Sequence, residues 1–254
     1  MYGFGLPVDI STHGHDIDHL IKVIHVFMAV LFVGWGIFLI YTLLRFRARQ
    51  GHKAEYHVKH FKLPTYAEAG VVIFEVLLLF AFSFPTWDKA HAEFAPGTNF
   101  THIRVIAEQF AWNVHYPGKD GVFGASKAEL MNSGNPTGLD PDDPAGKDDI
   151  TTINQLVIPV NTPVQIDVTS KDVIHSFGLT VARVKQDVVP GQKIPVRFQT
   201  FKTGDFEIAC AQLCGLGHYR MRGFFLVRSQ EDFDKWMNEQ IAQKSGSETV
   251  GTSA

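Results

Sequence analysis

The sequence predicts a membrane-anchored all-β protein, in which a hairpin of two transmembrane helices precedes a β-sandwich or β-barrel. Two apolar runs near the start predict the hairpin, and about seven short segments rich in Val, Ile, Phe and Thr predict the strands. Hydrophobic residues make up 45% of the 254 residues, yet the mean hydropathy is only +0.01, as expected when apolar spans are averaged with a polar domain. The net charge of -3 argues against nucleic acid as a partner, because phosphate binding needs a clustered positive surface.

The hairpin prediction depends on the length of the two apolar runs. The first, Val23–Leu44, contains no Asp, Glu, Lys or Arg and is long enough to cross a bilayer as a helix. The second, Ala69–Trp87, contains one ionisable residue, Glu75. We place the spans at about 21–45 and 66–88, within an N-terminal region of residues 1–92. A buried core helix is the alternative for each run, but two adjacent runs of this length are uncommon in soluble folds.

The loop between the spans predicts the orientation. Its cationic side chains near the span ends are Arg45, Arg47, Arg49, Lys53, Lys59 and Lys62. The positive-inside bias makes this loop cytoplasmic, so both the N-terminus and the domain after Trp87 are external, which is the periplasm if the source is a Gram-negative bacterium. The first residues lack the basic start and small-residue cleavage site of a secretory signal, so we expect the first run to stay as an anchor.

Residues 93–232 are predicted to form the external β domain. Its strand segments are 101–116, 153–159, 164–170, 173–181, 194–200, 205–210 and 223–228. Residues 118–149, rich in Gly, Asp, Pro and Ser, predict a surface insertion without strands, whose acids are expected to be solvated. Residues 231–254 predict an amphipathic helix followed by a disordered tail from Lys244.

A cluster of soft donors predicts a metal site. Cys210, Cys214, His218 and Met221 fall within twelve residues between two predicted strands, and two thiolates, an imidazole and a thioether suit copper. His175, at the end of another predicted strand, would supply a second imidazole.

Cys210 and Cys214 have three other possible roles: a disulfide, a zinc site or a mononuclear copper site. A disulfide between them would leave His218 and Met221 without a role. Zinc prefers a closed Cys/His tetrahedron and rarely recruits Met. A mononuclear blue-copper site uses one Cys, two His and a weak Met, which leaves one thiolate over, so two cysteines favour two coppers.

The stretch C-A-Q-L-C-G-L-G-H-Y-R-M resembles subunit II of haem-copper cytochrome c oxidases, in which C-x-x-x-C-G-x-x-H-x-x-M forms a mixed-valence dicopper centre. HSFGLTVARVKQDVVPGQ and AEQFAWNVHYPGKDG resemble two further segments of that family, and the resemblance covers nearly the whole chain. It implies a cupredoxin-like external domain. It also implies that Cys210 and Cys214 bridge both coppers, that His175 and His218 bind one copper each, that Met221 is a weak ligand, and that Gln212 offers its backbone carbonyl.

The resemblance further implies an electron-transfer subunit of a proton-pumping oxidase in a bacterial inner membrane. A c-type cytochrome or a cytochrome complex would be the donor, and a haem in subunit I, where dioxygen is reduced to water, would be the acceptor. Other oxidase subunits and membrane lipid would be partners. A quinol oxidase subunit II would serve as a scaffold without copper, which the intact ligand set disfavours. A nitrous oxide reductase would lack the hairpin and need a large additional domain.

Positions that differ from many family members concern the accessory sites. The carboxylate that binds an interfacial magnesium ion is replaced by Gln212, which argues against magnesium here. Phe110 stands where many members carry the Trp proposed to receive electrons, and Trp112 matches a later aromatic, so both are candidates for electron transfer.

Two glutamates mark the second span. Glu68 is nearest to the family's carboxylate at the mouth of a proton channel, with an interfacial carboxylate in the headgroup region as the alternative. Glu75 is ionisable at membrane depth, and a protonated or hydrogen-bonded group at the contact with subunit I is the alternative there.

Overall fold

A computed structural model describes residues 5–51, 53 and 62–251, so Lys59 of the basic loop lies outside the described residues. The chain divides into two compact units, one formed by residues 16–89 and the other by residues 1–15 together with residues 90–254. The four α-helices are α1 (Gly14–Arg45), α2 (Leu63–Leu78), α3 (Phe84–His91) and α4 (Gln230–Gly251).

The helical unit contains two helical segments long and apolar enough to cross a membrane. α1 has a mean hydropathy of 2.5 over its most apolar window, and the continuous helical stretch Leu63–His91 reaches 2.0. None of the residues in these windows is buried, which excludes the alternative of two core helices of a soluble protein. A π-helical turn, Leu79–Ser83, joins α2 to α3 just before Pro85, whose ring nitrogen cannot donate to the preceding turn.

The external unit is a sandwich of two five-stranded sheets. Its strands are β1 (Thr101–Glu108), β2 (Ala111–Tyr116), β3 (Ile150–Ile153), β4 (Gln155–Pro159), β5 (Pro163–Ser170), β6 (His175–Leu179), β7 (Val184–Val188), β8 (Ile194–Gln199), β9 (Gly204–Cys210) and β10 (Arg222–Arg228). The first sheet has the order β3-β2-β1-β5-β8 and the second β4-β10-β9-β6-β7. The predicted fold class is therefore confirmed, although β1 pairs parallel with β5 and β10 parallel with β4.

Ten strands form where about seven segments were predicted, because tight turns divide two of the segments and β7 lies outside all of them. The segment 101–116 is a hairpin, with Glu108 opposite Ala111 across the turn. The segment 153–159 is divided at Asn154, whose φ of 56° lies in the left-handed region that Asn tolerates. The Asn154 N–H donates to the Trp112 carbonyl (2.7 Å) in the first sheet, and its own carbonyl accepts from the Phe224 N–H (2.7 Å) in the second, so the chain passes here from one sheet to the other.

The segment before α1 belongs to the β domain. Ile10 is fully buried in the hydrophobic core, together with side chains from both sheets such as Val105 and Phe177. Its backbone N–H donates to the Val181 carbonyl (2.9 Å), and its carbonyl accepts from the Phe201 N–H (2.9 Å). We call residues 9–12 the N-terminal strap.

The insertion, residues 118–149, is largely irregular, with short 3-10 turns at Ala128–Leu130 and Pro144–Gly146. The expectation that its acids are solvated is wrong for Asp149, whose side chain is fully buried. Asp149 Oδ2 accepts from His115 Nε2 (2.6 Å) and from the Gly124 N–H (2.9 Å), whereas Oδ1 has no hydrogen-bond partner among the described residues.

The C-terminal helix extends further than the sequence predicted. α4 buries Phe233 and Met237 in the core and continues to Gly251, whereas disorder was predicted from Lys244. Lys244 Nζ donates to the carbonyls of Gly146 and Asp149 (3.0 Å each), and these contacts hold the helix against the insertion.

Candidate metal centre

Two neighbouring strands bring the predicted ligands together. β6 and β9 pair antiparallel, and Phe177 lies opposite Cys210. His175 is the first residue of β6 and Cys210 the last residue of β9, so both stand at the same end of the second sheet. The Ala211 N–H donates to the Ser176 carbonyl (3.0 Å), which extends the pairing into the following loop.

The loop between β9 and β10 closes over this end of the sheet. The Cys210 N–H donates to the Met221 carbonyl (3.1 Å), so the two ends of the loop meet. A 3-10 turn at His218–Arg220 begins where the His218 N–H donates to the Gly215 carbonyl (3.1 Å). The twelve-residue motif therefore forms a loop whose first and last residues are hydrogen-bonded to each other, and its spacing brings the donor side chains together.

The five predicted side chains converge in this loop. The Cys210 and Cys214 sulfurs are 3.8 Å apart. Cys214 Sγ lies 3.7 Å from His218 Nδ1 and 3.7 Å from Met221 Sδ. His175 Nδ1 lies 3.2 Å from Met221 Sδ and 4.0 Å from Cys210 Sγ. The ligand atoms of His175, Cys210 and Cys214 all lie within 4.8 Å of one another, close enough to share a metal ion.

Gln212 takes part through its backbone. Its carbonyl oxygen lies 3.2 Å from Cys210 Sγ, whereas the residue as a whole is exposed. The carbonyl is therefore near the sulfurs, as the resemblance implies, and the position carries no carboxylate.

A carboxylate orients the first imidazole. His175 Nε2 donates to Asp172 Oδ1 (2.9 Å), because an ionised carboxylate can only accept. The other ring nitrogen, Nδ1, is the atom that faces the sulfurs of Met221 and Cys210. A hydrogen bond on the far nitrogen is the usual way in which proteins orient a metal-binding histidine. Sequence reasoning missed Asp172, although its spacing three residues before His175 could have indicated it.

Burial governs the protonation of this site. Burial raises the pKa of the Cys214 thiol to about 11, and the neighbouring Cys210 adds to the rise. Because thiolates bind metals, loading the site must displace this proton. Burial opposes ionisation of Asp172, but hydrogen bonds from His175 and from the Gln109 and Val173 N–H groups outweigh it, so the pKa of Asp172 lies below its usual value.

The aromatic candidates lie beside the loop. Trp112 is fully buried, and its ring centroid is 6.2 Å from that of His175 in an edge-to-face arrangement. Phe110 is half-buried against the loop, where a methyl group added at Gly217 would overlap its ring. Gln109, which sequence reasoning also missed, donates from Nε2 to the Cys214 carbonyl (2.6 Å).

Glu68 and Glu75 do not belong to this site. Both lie in α2, in the helical unit, and both are exposed.

The donor set fits copper. Two thiol sulfurs 3.8 Å apart, two imidazole nitrogens and a thioether sulfur form a set of soft donor atoms, which copper prefers. A closed zinc tetrahedron would not require Met221, whose side chain is 2% exposed and contacts both His175 and Cys214. The free thiols of Cys210 and Cys214 form no disulfide, so both sulfurs are available.

Comparisons with known proteins agree with this geometry. The family model described as cytochrome c oxidase subunit II, periplasmic domain, matches residues 101–225. The alternative cytochrome c oxidase subunit 2 of Bradyrhizobium diazoefficiens is 31% identical over 232 residues, which cover 91% of this chain and 82% of that protein. Cytochrome c oxidase subunit 2 of Cereibacter sphaeroides is 27% identical over 239 residues, covering 91% and 77%.

Among solved structures, the periplasmic domain of subunit II of cytochrome oxidase from Bradyrhizobium japonicum is 27% identical, covers 59% of this chain and 99% of its own, and has a TM-score of 0.43. The sequence relationships carry the assignment, since they extend over both the helical segments and the β domain. The chain belongs to the cytochrome c oxidase subunit II family.

Proposed function

We propose that this oxidase subunit accepts electrons from a c-type cytochrome at a dinuclear copper centre and passes them to a haem in subunit I. Dioxygen reduction to water, and the proton pumping coupled to it, would take place in subunit I. The observation that carries the proposal is the convergence of two thiols, two imidazoles and a thioether in one closed loop.

Each ligand has a distinct role in this proposal. Cys210 and Cys214 would supply thiolates to the two metal ions, and His175 and His218 would supply one imidazole each. Met221 and the Gln212 carbonyl are the weaker ligands, consistent with their positions beside the sulfurs. A copper centre held by these residues would supply rapid one-electron transfer. The protein's part is to hold the donors in place and to exclude water, which the burial of His175, Cys214 and Met221 favours.

The proposed topology is a two-span hairpin with the copper domain in the periplasm. The N-terminal strap and residues 90–254 form one unit, so the helices between them leave that unit and return to it. Such a path requires an even number of crossings. Arg45 ends α1 and Arg47 and Arg49 follow it, which favours a cytoplasmic loop. The exposed apolar faces of the helices then contact lipid and subunit I.

Electrons would reach the centre through the hairpin between β1 and β2. We call residues 210–221 the copper loop. The half-buried Phe110 ring packs on this loop at Gly217, and the buried Trp112 ring contacts His175. A donor docking on this hairpin would therefore stand close to the centre. Gln212 offers no carboxylate, so we do not propose a magnesium ion at that position.

Glu68 is the proposed site of proton uptake, because it lies near the start of α2, next to the predicted cytoplasmic loop. We expect Glu68→Gln to slow turnover while copper content and cytochrome binding are unchanged. Glu75→Gln is the matched control on the same helix. Wild-type turnover of Glu68→Gln across a range of pH would remove Glu68 from the proton path.

The copper centre is tested on the oxidase purified from native membranes. Copper content and near-infrared absorption are measured for the wild type and for Cys210→Ser and Cys214→Ser, since a hydroxyl cannot replace a bridging thiolate. We expect both variants to lose the dicopper spectrum. Leu216→Ala is the control, because this side chain lies in the same loop but is 98% exposed. A fully folded wild-type subunit without copper would favour a scaffold and overturn the proposal.

A further inference from the structure

The turn between β1 and β2 contacts both segments that carry the proposed copper ligands. Gln109 occupies this turn, immediately before Phe110. Its side-chain amide donates to the backbone carbonyl of Cys214 (2.6 Å). Its backbone N–H donates to Asp172 Oδ2 (2.7 Å). One residue is therefore hydrogen-bonded to the copper loop and to the segment that precedes His175.

The backbone hydrogen bond of Gln109 is linked to the proposed ligand His175 through Asp172. Asp172 accepts from Gln109 on one oxygen and from His175 Nε2 on the other (2.9 Å). The position of the turn is thus linked to the orientation of the His175 ring. Cys214 and His175 are 39 residues apart in the chain, and within the described residues Gln109 is bonded to the carbonyl of one and to the carboxylate partner of the other.

The copper loop is shaped to receive this side chain. Gly215 follows Cys214 and has a φ of 135°, in the region that favours glycine. A Cβ at this position would lie 2.7 Å from Gln109 Nε2 and would push the amide away. The ring of Phe110 covers the adjacent Gly217 in the same way. The two glycines therefore allow the turn to approach the loop closely enough to form the hydrogen bond.

From these contacts we propose that Gln109 is a positioning residue for the dicopper centre, which couples the placement of Cys214 to the orientation of His175. The inference rests on the copper site proposed above. The side-chain bond restricts the Cys214 backbone and hence its sulfur, and the backbone bond restricts Asp172 and hence the imidazole. Groups that orient metal ligands in this manner commonly change metal affinity by roughly ten- to a hundredfold when they are removed.

The test replaces the side-chain bond and leaves the backbone bond in place. In Gln109→Met a side chain of similar length cannot donate. In Gln109→Glu an ionised carboxylate faces the Cys214 carbonyl. The matched control is Gln199→Met, because Gln199 Nε2 also donates to a backbone carbonyl, that of Asn161 (3.0 Å), but at the end of β8, the edge strand of the first sheet.

Two measurements are made on the purified oxidase. Competition with a copper chelator, followed through the near-infrared band, gives the affinity and the spectrum of the loaded centre. Hydrogen exchange of residues 211–219 in the metal-free subunit reports on the loop without copper. We expect Gln109→Met and Gln109→Glu to bind copper about tenfold more weakly, to shift the band and to exchange faster in the loop, while Gln199→Met matches the wild type.

Unchanged affinity, spectrum and loop exchange in both Gln109 variants would overturn the inference. If the wild type itself binds no copper, the proposed function fails instead. The exchange measurement on the metal-free subunit then still decides whether Gln109 holds the loop, so the two failures are distinguishable.

Discussion

Histidine–aspartate pairs occur in two regions of the β domain and have different surroundings. At the copper end, His175 bonds to Asp172, and its other ring nitrogen faces the sulfurs of Met221 and Cys210. On the outer face of the first sheet, His115 bonds to the buried Asp149 (2.6 Å), and its other ring nitrogen has no hydrogen-bond partner among the described residues. The same kind of bond thus orients a proposed copper ligand in one region and provides a partner for a buried carboxylate in the other.

The second region is covered by the insertion. The Phe123 ring lies edge-on to His115 and to His102, with centroid distances of 5.1 and 5.0 Å, and the Arg104 guanidinium lies 3.9 Å from its centroid. No sulfur reaches these rings among the contacts of the described residues. A buried histidine that is hydrogen-bonded to a carboxylate therefore indicates a metal ligand only when its second ring nitrogen faces further donor atoms.

The largest expected effect concerns the pair formed by His115 and Asp149 under the insertion. His115→Ala leaves the buried Asp149 carboxylate with the Gly124 N–H as its remaining donor among the described residues, and we expect a loss of about 3 kcal/mol in the free energy of unfolding of the β domain. Copper content and the near-infrared spectrum should be unchanged, because His115 is not a ligand. Urea unfolding and copper analysis measure the two effects. Loss of copper at wild-type stability would contradict the distinction between the two regions.

Asp172→Ala should produce the opposite pattern with a smaller effect. The His175 ring loses the bond that orients it, and we expect copper affinity to fall by roughly tenfold with little change in stability, since Asp172 is partly exposed. Asp205→Ala is the control, because Asp205 pairs with Arg228 on the neighbouring strand away from the loop. Equal copper affinities in the three proteins would mean that the carboxylate has no part in binding.

The smallest expected effect is a dependence on pH. Burial opposes ionisation of Asp167, but hydrogen bonds from His102 (2.7 Å) and Lys193 (2.9 Å) outweigh it and hold the pKa of Asp167 below its ordinary value of 3.8. A depressed pKa contributes stability that is present above 3.8 and is lost as the pH falls below it.

Asp167→Asn should therefore flatten the acid side of the stability curve, measured by urea unfolding between neutral pH and about pH 3. Copper binding at neutral pH should stay as in the wild type. An acid limb as steep as that of the wild type would show that other carboxylates cause it.

The sequence suggests four of the five candidate ligands because they are local. Cys210, Cys214, His218 and Met221 lie in one loop, and residue type together with spacing is enough to suggest copper. Their supports come from elsewhere in the chain. Gln109 belongs to a turn a hundred residues away, and its role depends on a backbone carbonyl, which has no sequence signal.

The same reasoning explains the errors in the fold. Strand propensity found the apolar segments but not their division, since the passage between sheets depends on the left-handed backbone of one residue, Asn154. The extension of α4 depends on Lys244 meeting carbonyls of the insertion, and local composition carries no record of such contacts. The burial of Ile10 likewise depends on a contact with Phe201.

That burial has a consequence for the order of folding. Ile10 and Phe201 lie near opposite ends of the chain, so their contact closes a very long loop and is entropically unfavourable early in folding. During synthesis the strap leaves the ribosome well before the strands that enclose it. We expect the β domain to complete its core only after the last strands have been exported, with the strap docking as a late step.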